Sequence, residues 1–253
     1  EEEWHLVRSK MMNKSTFSVE SCAAYWMFTV LDEVSGFYLR LAFDHLLKSE
    51  ITEEMPSFAY VPSSPYPKCL VLGDSISRGI WVETQRIAKN NSLKLSVQGA
   101  PTNCGGFANY KKRLSHWLGT CEWDVVQFNV GMHYHSLNMT EYTDELTMVV
   151  NEIRTHSPAA HIIFALTTPS PFDSNATWPN KETCKNYNNF HKSGFVQTLN
   201  NEASVSLRKM NVTINDRYSI VQPMLGHHQR PCDVHYTKGG YELMAMHDLD
   251  IFS

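Results

Sequence analysis

The chain has 253 residues, 42% of them hydrophobic and 19% charged, which is the balance of a folded chain able to bury one sizeable core and excludes a disordered composition. The formal net charge of −4, with lysine and arginine scattered and no basic stripe, excludes nucleic acid as the main partner. The chain begins Glu1-Glu2-Glu3 rather than with Met, so a leader or a longer amino-terminal region is expected to have been removed. Between Ser18 and Lys48 apolar residues recur at three and four spacing (Phe28, Leu31, Val34, then Phe37, Leu41 and Leu46), which predicts a helical segment. Its most apolar stretch, Ala23 to Leu31, runs straight into Asp32 and Glu33 and falls short of the roughly 20 residues of a membrane span. Met55 to Pro67 holds four prolines among small residues and reads as a linker. The reading divides the chain into a helical extension with this linker over residues 1–60 and a second domain over 66–253.

A different rhythm follows. Cys69-Leu-Val-Leu72 is a short apolar run halted by Gly73, the pattern of a strand buried on both faces of a parallel sheet. A helix is predicted over Ser77 to Lys89 and a second strand over Leu93 to Val97, followed by the turn-rich Gly99-Ala-Pro-Thr-Asn-Cys-Gly-Gly106. Trp123 to Asn129 is a third strand, closed by Gly131, and a helix carrying Tyr142, Leu146, Val149, Val150 and Ile153 follows, with Thr140 placed to cap it. His161 to Leu166 is a fourth strand; a polar excursion over Ser170 to Asn188 leads to a helix from about Tyr187 to Lys209. Val212 to Ile214 is a short fifth strand, and Tyr236 to Asp248 a closing helix. Strands alternating with helices predict a three-layer α/β/α sandwich on a central parallel sheet, with the amino-terminal helical segment added to it.

In open parallel sheets ligands sit beyond the carboxyl ends of the strands, so the residues after each strand carry the functional argument. After the first comes Gly73-Asp-Ser-Ile-Ser77, a serine at the amino end of a helix, whose amides and dipole favour an oxyanion. Taken alone, that tripeptide equally suits a serine that only caps the helix. After the second comes Gly105-Gly106, after the third Gly131-Met-His133, and near the carboxyl end Asp233-Val-His235. A hydroxyl needs a base to become nucleophilic and the base needs an orienting carboxylate; Ser75, His235 and Asp233 supply the three on one rim.

These segments together resemble the blocks of the SGNH/GDSL hydrolases, a family with a flavodoxin-like α/β fold that includes esterases, lipases, lysophospholipases and carbohydrate O-acetylesterases. Val71-Leu-Gly-Asp-Ser-Ile-Ser77, the glycines Gly105 and Gly106, Gly131-Met-His133 and Asp233-Val-His235 carry the likeness over residues 68–249, and phrases such as Pro101-Thr-Asn-Cys104 and Phe128-Asn-Val-Gly-Met-His133 are similar to a poorly characterised branch near the O-acetylesterases. The resemblance implies Ser75 as nucleophile and His235 as general base. It implies an oxyanion hole from the N–H of Ser75, the N–H of Gly105 or Gly106, and a side-chain donor from the third block. That donor is usually an Asn; here the position holds His133, with Asn129 as the alternative, and a structural histidine as the bland one. The acid usually stands three residues before the histidine, where this chain has Cys232; Asp233 at two is the expected acid, Asp216 the reserve, and a Ser–His dyad or a capping role for Asp233 the remaining options. No cofactor is expected.

The compartment is read from other marks. Five N-x-[ST] sequons, at Asn13, Asn90, Asn138, Asn175 and Asn211, and six cysteines with no C-x-x-C pair lean towards a secreted glycoprotein. Pairing Cys104 with Cys121 and Cys184 with Cys232 would staple loops near the site; reduced buried thiols are the other reading. His133, His135, His227 and His228 lack helix spacing or a carboxylate partner for a metal, so none is expected. Tyr110, Trp117 and Trp123 read as packing residues, and Trp178 in the polar loop as a conceivable substrate contact. The expected activity is hydrolysis of an acyl ester, with a short acyl group on a glycan favoured over a lipid or lysophospholipid, an acyltransferase of the same fold, or a non-catalytic binding protein that retains it.

Overall fold

A computed structural model describes residues 66–100, 102–119, 121–169 and 194–252. They belong, apart from 119 and 121, to an α/β body over Ser64–Leu118 and Glu122–Ser253. The expected amino-terminal helix, the Pro-rich linker before residue 66, Asn13, Asn175, Cys184 and Trp178 lie outside the described residues.

The body holds five strands, β1 (Lys68–Leu72), β2 (Ser96–Gly99), β3 (Val125–Phe128), β4 (His161–Ala165) and β5 (Thr213–Asn215), all parallel in the order β2-β1-β3-β4-β5. Between them run α1 (Ser75–Asn90), α2 (Phe107–Leu118), α3 (Met139–His156) and α4 (Phe195–Lys209), and after β5 the short α5 (Arg217–Val221) and α6 (Leu225–His228) and the closing α7 (Lys238–Phe252). This is the three-layer α/β/α arrangement on a parallel sheet expected from the alternation of runs. The order reverses between β1 and β3, and a crevice opens at such a switch point beyond the carboxyl ends of the strands. The segments after β1 and β3 therefore face one another there.

Because β1 is covered on both sides, its pleat sends Cys69 and Val71 to one face with Val97, Val125, Ile163 and Phe252, where Trp81 of α1 and Ile251 of α7 also pack. Burying one such aliphatic side chain contributes roughly 1.5–3 kcal/mol. A second apolar cluster joins α1 to the segments that close the chain: Ile76, Ile80, Met132, Val221, Leu225, Val234, Tyr236, Met244 and Ala245. Helices α1 and α7 meet without a side chain at Gly79, where a Cβ would lie 2.5 Å from the Tyr241 ring.

Element edges differ from the sequence reading where side chains or turns intervene. The second strand begins at Ser96 rather than Leu93, because Leu93 N–H is held by Ala88 O (2.9 Å) in the turn that ends α1. The cap of α3 is Asn138, whose Oδ1 accepts from Glu141 N–H at 3.2 Å, and not Thr140. The last helix starts at Lys238 rather than Tyr236, since Thr237 N–H is bonded to His228 O (2.6 Å) and Tyr236 bridges Gln229.

One polar cluster sits inside the body. Asp248 of α7, fully buried, accepts from Arg217 Nε (3.0 Å), Gln127 Nε2 (2.9 Å) and Asn215 Nδ2 (2.8 Å), and a second guanidinium nitrogen completes a two-pronged ion pair. Asn215 Nδ2 also donates to Gln127 Oε1 at 2.7 Å. The cluster ties β3, β5, α5 and α7 together in a region where water cannot supply partners.

Candidate active site

The turn after β1 is shaped by Gly73, since a Cβ there would lie 2.2 Å from Ser77 Oγ. Asp74 caps α1, its Oδ1 accepting from Ile76 N–H at 2.9 Å and Ser77 N–H at 3.4 Å. Ser75 is thereby the first helical residue, a position whose N–H has no partner in the helix ladder. The helix end thus presents an amide beside a hydroxyl.

The glycine loop is bound to this turn by Cys104. Cys104 N–H donates to Gly73 O (2.9 Å), and Gly73 N–H donates to Cys104 Sγ (3.2 Å). Cys104 carries a thiol, so the expected Cys104–Cys121 bridge is not formed; the sulfur is engaged as an acceptor in the core instead. Burial pushes that thiol up to about 12, with the Gly73 N–H and Tyr110 hydroxyl opposing and the Asp74 charge adding to it. The other expected pair, Cys184 with Cys232, includes a residue outside the described ones. Gly105 has a positive φ of +54°, a conformation suited to glycine, and its N–H is taken by Asn103 Oδ1 at 2.8 Å. Of the two glycine amides expected as donors, that of Gly106 is the one with no acceptor among the described residues.

On the far side of the switch point, Gly131 is forced by Thr167, whose Oγ1 would lie 1.7 Å from a Cβ at that position. His133 follows, its backbone O 3.3 Å and its Cβ 3.7 Å from where a Cβ on Gly106 would stand. Its ring Nε2 is 3.9 Å from Asp74 Oδ2, and the side chain is 46% exposed. Asn129 is not placed as the alternative donor. Both protons of its Nδ2 are committed, to Ala165 O (2.7 Å) and Thr167 Oγ1 (3.3 Å), where they hold β3 to the end of β4.

The carboxyl-terminal segment folds back as a short hairpin. Arg230 N–H bonds His235 O (2.9 Å), Asp233 N–H bonds Arg230 O (3.2 Å), and Arg230 Nε donates to Tyr236 O (3.1 Å). Gln229 bridges Tyr236 and also reaches Pro169 O (3.1 Å), anchoring the hairpin beyond β4. His235 Nε2 lies 2.7 Å from Ser75 Oγ, and His235 Nδ1 lies 2.6 Å from Asp233 Oδ1, which also accepts the His235 backbone N–H at 3.1 Å. A separation of two residues is therefore enough, because the carboxylate hooks back over its own turn. Burial pushes the Asp233 carboxyl up, but the hydrogen bonds from the His235 ring and N–H, with the His235 and Arg230 charges, outweigh it and hold it below its ordinary value. Asp216 is not brought to the histidine; it caps α5 through Ser219 N–H (3.0 Å) and the Ser219 hydroxyl (2.7 Å).

Ser75, His235 and Asp233 thus form a hydrogen-bonded chain ending in a hydroxyl, with the Ser75 and Gly106 amides and His133 grouped about the same turn. No group of His, Cys, Asp and Glu among the described residues could hold a metal ion. The sequence reading passed over the second oxygen of Asp74, the Cys104 acceptor and the Arg217–Asp248 pair. Only the first had a signal, a charged residue at a cap position where an amide would serve.

No family model matches the sequence, and no curated protein matches it. Solved structures do match in fold. An acetyl xylan esterase, AlAXEase, aligns at 14% identity with a TM-score of 0.59 over 74% of this chain and 100% of that one. A lipase/acylhydrolase from Enterococcus faecalis aligns at 16% identity and 0.57, over 74% and 95%. An acetyl xylan esterase from Geobacillus stearothermophilus aligns at 16% identity and 0.55, over 74% and 94%.

Proposed function

We propose that this chain, whose α/β body has the fold of the SGNH/GDSL hydrolases, is a serine ester hydrolase that works through an acyl-serine. The observation that carries the proposal is the pair of contacts from Ser75 Oγ to His235 Nε2 (2.7 Å) and from His235 Nδ1 to Asp233 Oδ1 (2.6 Å). Ser75 Oγ attacks the ester carbonyl carbon while its proton passes to His235 Nε2. The carbonyl oxygen becomes an oxyanion facing the Ser75 and Gly106 N–H groups and His133, at the positive end of α1. His235 then gives its proton to the departing alcohol. Water, deprotonated by the same ring, attacks the acyl-serine; the Oγ–C bond then breaks, the ring returns its proton to Ser75 Oγ, and the acid leaves. Asp233 fixes the tautomer that keeps Nε2 free to accept and balances the imidazolium formed in each half.

The favoured substrate is a short acyl group, such as acetyl, on a glycan, in keeping with the two acetyl xylan esterases that share the fold. Long-chain esters are the competing class, given the Enterococcus lipase/acylhydrolase. A secreted setting accords with the exposed sequon residues Asn90, Asn138 and Asn211. The test is covalent labelling by a fluorophosphonate, with cleavage of p-nitrophenyl esters from acetyl to palmitoyl. The native chain should label and prefer the short esters, and Ser75→Ala should do neither while melting at the same temperature. Equal labelling of the variant would sink the assignment, and a preference for palmitoyl would move the substrate to lipid. Transfer to an added sugar rather than to water would make the protein an acyltransferase.

A further inference from the structure

Asp74 has more chemistry than a helix cap needs. Asn and Asp are about equally good at the N-cap, and here one carboxylate oxygen, Oδ1, receives both amides of the first turn. The other, Oδ2, receives no hydrogen bond among the described residues, although the side chain is only 4% exposed. A carboxylate in such a place needs a compensating charge. The titratable neighbours that feel its charge, Cys104, Tyr110 and Tyr241, are a thiol and two phenols, each pushed up and held neutral. Arg217 lines the same small cavity but is committed to Asp248. Among the described residues the remaining group is His133, with Nε2 3.9 Å from Oδ2.

We propose that Asp74 is a positioning residue for His133, its free carboxylate oxygen aiming the imidazole at the oxyanion and balancing the positive charge of the ring when it donates. The proposal rests on Ser75 being the nucleophile, and it accounts for a histidine where an amide donor would be the simpler choice. A neutral Asn in this place would donate without help. An imidazole that turns one N–H towards a carboxylate gives a second N–H to the oxyanion only in its doubly protonated form, and the adjacent anion offsets that charge. His133 spans the two elements involved, lying against Gly106 and opposite the turn that carries Ser75.

A double-mutant cycle tests this, using Asp74→Asn, which retains the capping oxygen, His133→Asn, which supplies an amide donor, and the two together. The assay is kcat and KM for p-nitrophenyl acetate, with melting temperature as the check on folding. In the native background Asp74→Asn should lower kcat by about tenfold or more with little change in KM. In the His133→Asn background the same change should cost less than about twofold, because neighbours that act through one another are not additive. Equal losses in the two backgrounds, or no loss in either, would overturn the proposal. Fluorophosphonate labelling of the native chain reports separately on Ser75, so failure of the esterase reading is seen as absence of labelling whatever the cycle gives. A measurement free of turnover completes it. In Ser75→Ala protein, the ring resonances of His133, assigned by their loss in His133→Asn, should move when Asp74 becomes Asn; resonances that stay in place refute the contact.

Discussion

Asp248→Asn is a sharp probe of the body that carries the site. The substitution changes few atoms but leaves the Arg217 guanidinium, 2% exposed, without its counter-charge in a region closed to water. It also weakens acceptors used by Gln127 and Asn215. Breaking one side of a buried ion pair costs about 3–5 kcal/mol, whereas replacing both partners by apolar groups of similar volume is often neutral or better. For a domain of this size each kcal/mol lowers the melting temperature by about 2–4 °C, so the single variant should melt roughly 6–20 °C lower. The paired variant, Arg217→Met with Asp248→Leu, should lose less than either single change, held back mainly by the polar groups of Gln127 and Asn215 that it strands. Urea unfolding followed by the fluorescence of the buried Trp117 and Trp123 reads both. A loss below about 1 kcal/mol in Asp248→Asn, or a paired variant worse than the sum of the singles, would refute the account.

Other expectations follow from single contacts. Gly79→Ala should destabilise by about 1–3 kcal/mol, because the new methyl meets the Tyr241 ring between α1 and α7; unchanged urea unfolding would show that the helices can part. His133→Ala should lower kcat about 10²- to 10³-fold if the ring serves the oxyanion, and a loss under tenfold would leave the task to the two amides. The Cys104 thiol, raised to about 12, should resist thiol reagents in the native protein and react on unfolding; prompt reaction in buffer would contradict its burial. Asp233 has a folded-state value below that of the unfolded chain, so its contribution to stability is complete above the unfolded carboxyl's pKa and is lost as pH falls through the lower, folded one. Asp233→Asn should therefore flatten the acid limb of a melting-temperature profile, and an unaltered limb would show that other carboxyls set it.

The fold was legible because a strand buried on both faces has no polar face to disguise it. Cys69 to Leu72 and Ile162 to Leu166 read as uninterrupted apolar runs, and alternation with helices leaves little choice beyond a parallel sheet. The strand after α1 was displaced because Leu93 is an exposed residue of the turn that ends α1 and Leu95 packs on the core before pairing begins, differences that periodicity does not show. At the site, the glycine-bounded serine and the two-residue Asp233–His235 step were visible as residue types in order. Gln127 and Asn215 were not, since a polar residue in or beside an apolar strand announces a partner without naming it; that partner, Asp248, lies 121 residues beyond Gln127. Cys104 was read as half of a bridge because spacing reports cysteines but not that a sulfur can accept an amide proton.

The hydroxyl of Ser75 and the ring of His235 are separated by 160 positions in the chain. While the polypeptide is being made, the serine, its helix and most of the sheet can be in place long before the imidazole exists. On the proposed reading the nascent protein therefore lacks its base until the final hairpin is synthesised and α7 docks on α1. A chain ending just before residue 235 would carry all five strands of the sheet and an ordinary alcohol at its edge.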